Sequence, residues 1–301
     1  MFELHPYKKR QNLFQGWYFK HQSQSQTLCL IPGAQQEKDG SRSAFLQVIT
    51  QDHSYQVGYP FDKLKAYHGN HTLQLGLCRF GREGVHLDVR TPDLCLTGDL
   101  AYGPFAPLSS PIMGPFRFLP RMECSHGVLS MHHRVTGELQ LNGTPYAFDD
   151  AIGYIESDWG DSFPQEYLWT QDIQPQLPLS IMLAIARVPV YGIVFLGCIC
   201  EIHLGTKRYR LATYRGARVV SFDCRHAVLS QGKYRLEVFL ETKDNSKPLQ
   251  APVSGRMSRT IGESARCRVT YRLFENHTLL YGWTSDAASF EYVPPAPSLL
   301  Q

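Results

Sequence analysis

The chain has 301 residues, 43% hydrophobic and 19% charged, a composition that excludes a disordered protein and is large enough for two domains. A formal net charge of +3 is too small to point to a nucleic-acid partner, and none is expected. The longest apolar run, Val188–Cys200 with Pro189 and Gly192 inside it, falls short of the roughly 20 residues a spanning helix needs and suits a turn into a buried strand. Met1–Lys20 has no apolar core, and Lys8–Arg10 is followed by Gln11 and Asn12, so the expected location is cytoplasmic. The eight cysteines are scattered without a C-x-x-C and read as free thiols.

Period-two alternation dominates and long 3.6-period stretches are absent. In chain order the predicted strands are Gly16–Lys20, Thr27–Ile31, Ala44–Thr50, His71–Phe80, Val85–Arg90, Leu94–Leu100, Gly127–Val135 and Glu138–Leu141. The second half continues with Tyr154–Ser157, Leu168–Asp172, Leu179–Val188, Gly192–His203, Lys207–Tyr214, Ala217–Asp223, Tyr234–Thr242, Ser254–Thr260, Ala265–Glu275, His277–Trp283 and Ala288–Tyr292. Thr136-Gly137 and Asn142-Gly143 read as turns. Many short strands at regular spacing predict an all-β fold of barrels or sandwiches.

A weak internal repeat supports two such domains, residues 1–148 and 149–301. G-W-Y-F-K-H at Gly16–His21 precedes a polar loop and a strand, and so does Y-L-W-T-Q-D at Tyr167–Asp172. Trp17 and Trp169, 152 positions apart, mark the match. Their opening strands are expected to meet at a site. Late in the first half, Tyr102–Met122 holds five prolines and three phenylalanines. It reads as a lid or wall, or equally as a loop packed over a barrel end.

The stretch Ala151–Asp172 mixes acids and aromatics, as the rim of a pocket does. Glu156 and Asp158 lie two apart, so a strand points both to one face together with Tyr154. A carboxyl in apolar surroundings is held protonated by desolvation and by a second nearby carboxylate. Asp158 or Glu156 is therefore the candidate proton donor, with the other tuning it. Trp17, Tyr18, Trp159 and Trp169 offer electron-rich faces to a cation. Phe163, Tyr167 and Phe116 complete the expected apolar walls, and Glu123 and His126 are candidate polar groups of the pocket. The competing structural reading pairs Glu156 or Asp158 with Lys20 and makes the tryptophans core; Asp161 reads as a turn residue. No metal or other cofactor is expected. Glu123, Cys124, His126, His132 and His133 are close in sequence, but adjacent histidines on a strand face opposite ways. Lys207–Arg218 is basic and reads as a solvated strand face, or as a transient contact with an acidic membrane surface. No nucleotide-binding or hydrolase motif occurs.

The stretch G-Y-I-E-S-D-W-G-D-S-F-P-Q-E-Y-L-W-T-Q at residues 153–171 resembles the signature of the tocopherol cyclase family, approximately Y-x-E-K-N-W-G-x-x-F-P-x-x-W-x-W-x-Q. The segments F-Q-G-W-Y-F-K (Phe14–Lys20), M-G-P-F-x-F-x-P-x-M-E-C-x-H-G (Met113–Gly127) and G-W-T-S-D-A-A-S-F-E-Y (Gly282–Tyr292) extend the resemblance over nearly the whole chain. Ser157 and Asp158 stand where the family pattern has Lys and Asn. The resemblance implies two lipocalin-like β-domains around a deep apolar cavity. It also implies acid-catalysed cyclisation or hydration of a prenylated quinol or another isoprenoid-type substrate, without a redox cofactor. The alternative is a lipocalin-like carrier that holds an apolar ligand without chemistry.

Overall fold

Alternating apolar residues become strands throughout, and among the described residues there is no α-helix. The computed structural model describes residues 2–4, 12–67, 69, 71–119, 122–176, 178–190, 193–243 and 247–295. Lys8–Arg10 and Gly192 of the sequence analysis lie outside the described residues.

The first antiparallel sheet has twelve strands. They are β1 (Leu13–Gln22), β2 (Thr27–Gln36), β3 (Arg42–Thr50), β4 (Ser54–Pro60), β5 (Leu64–Tyr67), β6 (Thr72–Leu75), β7 (Cys78–Phe80), β8 (Gly84–Arg90), β9 (Cys95–Tyr102), β10 (Cys124–Leu141), β11 (Thr144–Ala147) and β12 (Ala151–Gly160). The second has ten: β13 (Tyr167–Gln174), β14 (Leu179–Val190), β15 (Ile193–Leu204), β16 (Lys207–Ala212), β17 (Arg218–Phe222), β18 (His226–Gln231), β19 (Tyr234–Lys243), β20 (Lys247–Val253), β21 (Arg256–Glu275) and β22 (Thr278–Val293).

Each sheet curls around its own apolar core. In the first, the Asn142 amide Nδ2 reaches the Tyr55 hydroxyl of β4 from the β10–β11 turn, so distant parts of the sheet approach one another. Among the described residues no ladder joins the edge strands of either sheet, so neither is closed by pairing. A third cluster, holding Tyr18, Met113, Tyr154, Trp169 and Ile261, lies between the sheets.

The repeat is real in topology. β1 lies between β2 and β12, and β13 lies between β14 and β22. The tryptophan match is off by one residue. Tyr18 stands opposite Glu156 and Trp169 stands opposite Glu291, so the partner of Trp169 is Tyr18. A shift of one residue reverses the face. Trp17 accordingly packs into the first core beside Phe2, with ring centroids 6.5 Å apart, and is fully buried.

Three expectations change. β12, which the sequence reading placed in the second half, pairs with β1 and β10 of the first sheet. The division between the sheets therefore falls between residues 160 and 167, not near 148. Thr136-Gly137 is no turn: β10 runs through it, because Gly137 at φ 126° lets β9 approach where a Cβ would fall 2.4 Å from the Asp99 carbonyl oxygen. Ser254–Thr260 and Ala265–Glu275 belong to one bulged strand, β21.

Trp17→Ala is expected to destabilise the fold by about 3–5 kcal/mol, the cost of emptying a full aromatic site in a closed core. Trp169→Ala should cost less, because its ring borders the pocket described below. Urea unfolding of both variants checks this.

Candidate functional site

Period two places Tyr154, Glu156 and Asp158 of β12 on the face turned to the second sheet, while Ile155 enters the first core. Gly160 ends this strand against the start of β10, where a Cβ would fall 2.0 Å from the Glu123 carbonyl oxygen. That close approach brings His126 of β10 beside Asp158. Facing them, β13 supplies Tyr167 and Trp169, β21 supplies Glu263 and β22 supplies Glu291. Together these enclose a predominantly apolar pocket of about 190 Å³. Tyr18 and Trp169 meet edge to face across it, 5.4 Å between centroids.

His126 lies between two carboxylates. Its Nδ1 is 2.7 Å from Oδ1 of Asp158, and its Nε2 is 3.3 Å from Oε2 of Glu156, within ion-pair distance but off hydrogen-bond alignment. Tyr154 donates its hydroxyl to that same Glu156 oxygen at 2.5 Å. Burial opposes a charge on His126, but the carboxylates of Asp158 and Glu156 outweigh it and lift the imidazole pKa well above 6.5. Burial raises the Glu156 pKa, and the imidazolium pulls it back toward the ionised form. The three residues bring possible ligand atoms within 4.8 Å of one another. The contacts made use opposite ring nitrogens, however, which suits a hydrogen-bonded bridge better than one centre shared by a single nitrogen.

A second acid pair lies on the same pocket. Glu263 and Glu291 stand opposite each other in the β21–β22 ladder, and both are buried. Tyr167 donates its hydroxyl to Oε1 of Glu291. Oε1 of Glu263 is buried without a hydrogen-bond partner. Burial, with Glu263 adding to it, pushes the Glu291 pKa up to about 8. Burial likewise raises Glu263 to about 7, with the Tyr18 hydroxyl working against it.

Of the residues singled out by sequence, Tyr18, Phe116, His126, Glu156, Asp158, Phe163, Tyr167 and Trp169 line the pocket. Tyr154 lies just behind, on Glu156. Trp17 is first-core, and the Trp159 ring lies over Gly127, so neither borders the pocket. Glu123 also stays outside: its carbonyl accepts the amides of Asp161 and Ser162 at the end of β12. Lys20 makes no pair with Glu156 or Asp158. Its ammonium is fully buried and donates to the Ala287 carbonyl at 2.7 Å and to Ser289 Oγ at 2.9 Å, joining the two sheets. His132 and His133 do part, His133 packing on Tyr102 and Phe105 and His132 facing His203. The proline-rich segment is a wall: Met113 and Phe116 line the pocket, and Phe105 enters the first core. Arg210, held by Glu201 at 2.6 Å, grips that segment through Ser110 and Pro111.

Sequence reading missed Glu263 and Glu291. The signal for Glu291 was present, since S-F-E-Y sets an acid among aromatics as Ala151–Asp172 does. Glu263, in I-G-E-S, has no such neighbours.

The fold and site define an all-β protein of two antiparallel sheets that enclose an apolar pocket lined by buried acids and a histidine. The family model described as tocopherol cyclase-like matches residues 100–292, and the chain belongs to this family. Among solved structures the chain is similar to kievitone hydratase from Nectria haematococca, with 11% identity, a TM-score of 0.54, and coverage of 93% of this chain and 88% of that one. It is also similar to a putative AttH from Nitrosomonas europaea, with 11% identity, a TM-score of 0.55, and coverage of 96% and 95%. At this identity the likeness is one of fold. No curated protein matches the sequence. No helix among the described residues is long and apolar enough to cross a membrane.

The folded protein keeps Glu291 protonated to about pH 8, against an ordinary 4.5. Its contribution to stability is therefore complete below about pH 4.5 and is lost as the pH rises through 8. Glu291→Gln should be more stable than the wild type at pH 9 by about 1–3 kcal/mol and nearly equal to it at pH 5. Urea unfolding at the two pH values measures the difference.

Proposed function

We propose that the protein is an acid catalyst that protonates a carbon–carbon double bond of an apolar, isoprenoid-type substrate such as a prenylated quinol. The observation that carries this reading is the buried carboxyl of Glu291, set opposite buried Glu263 on the pocket wall that faces His126. The carboxyl proton passes to one alkene carbon, the π bond breaks, and the tertiary cation forms at the other carbon. An oxygen nucleophile closes on that cation: a phenol of the same molecule in cyclisation, or water in hydration. The proton it loses goes to the carboxylate of Glu156 or Asp158, and exchange within the pocket restores the Glu291 carboxyl. The rings of Tyr18, Trp169 and Phe163 stabilise the cation through their π faces.

The sequence reading gives the donor role to Asp158 or Glu156. The imidazolium of His126 opposes the effect of burial on Glu156, whereas burial and the facing Glu263 both raise the Glu291 pKa, so this reading gives the donor role to Glu291.

The test begins with organic extraction and mass spectrometry of the purified protein, to find a co-purifying alkene-bearing compound. Turnover of that compound in D2O should place one deuterium on carbon. Glu291→Gln should lower kcat by about 10²–10⁴-fold with binding retained, and the wild-type rate should fall as the pH rises through about 8. Full turnover by Glu291→Gln would remove Glu291 as donor. Wild-type binding without turnover would overturn the enzyme reading in favour of a carrier.

A further inference from the structure

Ladder register puts five residues of the second sheet in one row. Glu263 of β21 stands opposite Glu291 of β22, and Glu291 opposite Trp169 of β13. Trp169 in turn stands opposite Ala184 of β14, and Ala184 opposite Ile199 of β15. All five line the pocket. The row runs from two acids through an indole to plain hydrocarbon. Neighbouring strands lie roughly 4.8 Å apart, so Glu263 and Trp169 flank Glu291, and the apolar end begins one strand further on.

The other acids of the pocket have partners. Tyr167 donates to Glu291, Tyr154 donates to Glu156, and Nδ1 of His126 is bonded to Asp158. Nε2 of His126, though off alignment, has Glu156 at ion-pair distance. Two polar atoms of the row have neither. Oε1 of Glu263 and Nε1 of Trp169 are buried without a hydrogen-bond partner among the described residues, on residues only 2% and 8% exposed. The Glu263 side chain points into the space between the sheets. Ile261 and Ala265, two positions to either side of it on the strand, both belong to the cluster there. A bare buried acceptor is costly, and native structures seldom keep one without a use. A ligand hydroxyl satisfies it by donating its hydrogen.

We infer that the pocket selects apolar ligands that carry a hydroxyl, with Oε1 of Glu263 accepting its hydrogen bond and the hydrocarbon part lying over Ala184 and Ile199. In this pose the ligand spans the Glu291 carboxyl, between head and tail. Nε1 of Trp169 donates to a second oxygen where the ligand has one. A phenol or an alcohol meets the requirement. A pure hydrocarbon, or a compound whose hydroxyl is etherified, leaves Oε1 bare, and a site built to bond a hydroxyl rejects the analogue without it. Glu263 is thus a specificity-determining residue. The inference rests on the pocket being the substrate site, as in the proposed function, and on none of the proton transfer.

Two probes test it by binding alone, para-heptylphenol and its methyl ether. They share a tail, and the ether has no hydrogen to donate. Titrations follow the tryptophan fluorescence of the full-length protein at pH 8, above the Glu263 value of about 7, so that a carboxylate is the acceptor. The wild type should bind the phenol about tenfold more tightly than the ether. Glu263→Met and Glu263→Leu keep the bulk and remove the acceptor. They should lower the affinity for the phenol by about tenfold and leave that for the ether unchanged, so that the preference disappears. Ala184→Leu, which fills the tail end of the row, should weaken both probes alike. Both Glu263 variants should melt no lower than the wild type, because a bare buried acid gives way to hydrocarbon. Equal wild-type affinity for the two probes, no binding of the phenol, or a preference kept by a folded Glu263 variant would overturn the inference. Melting of both Glu263 variants well below the wild type would mark the carboxyl as structural and overturn it as well. No turnover is read, so a failure of the proposed proton transfer shows separately, in the loss of deuterium incorporation.

Discussion

The central strand of each sheet is buried on both faces. β1 sends Trp17 and Phe19 into the first core and turns Tyr18 and Lys20 to the second sheet. β13 sends Leu168 into the second core and turns Tyr167 and Trp169 to the first. A strand with no wet face must satisfy every polar side chain it carries within the protein. Lys20 does so through the carbonyl of Ala287 and the hydroxyl of Ser289, and in doing so it joins the sheets. Gln47 and Gln250 make a further reciprocal pair of hydrogen bonds between β3 and β20.

The same dryness sets the electrostatics of the pocket. Four acids border it, and their surroundings split them into two kinds. Glu156 and Asp158 share the His126 cation. Glu263 and Glu291 face each other across one ladder with hydroxyl donors for company, and among the described residues neither makes an ion pair. Two carboxyls this close in low dielectric do not both ionise cheaply. The two acid pairs thus differ in company, one beside an imidazole and the other beside hydroxyls, although they sit on equivalent strands. Glu156 stands opposite Tyr18 as Glu291 stands opposite Trp169.

The proline-rich segment closes the design. Prolines keep Leu108–Leu119 out of any ladder, so it lies across the gap between the sheets. Arg210 binds its backbone carbonyls, and its apolar side chains pack into the cluster between the sheets, Met113 and Phe116 bordering the pocket. Arg210 is itself nearly buried and paired with Glu201, so its fork is pre-oriented for that grip.

The sequence by itself determined the all-β character and the doubled strand order, because alternation and turn residues act over a few residues. It also showed that Glu156 and Asp158 share a face, because that follows from the two-residue period of a strand. Aromatic–acid mixing drew attention to Phe163, Tyr167 and Trp169. It did not decide to which sheet β12 belongs, since its pairing with β1 is a contact across more than a hundred residues. It did not separate Trp17 from Trp169, because a one-residue offset between the repeats reverses the face and local pattern carries no absolute direction. The partner of Lys20 and the acids Glu263 and Glu291 were likewise decided only by tertiary structure. Burial sets the protonation of these groups, and burial is fixed by which distant strand packs against them.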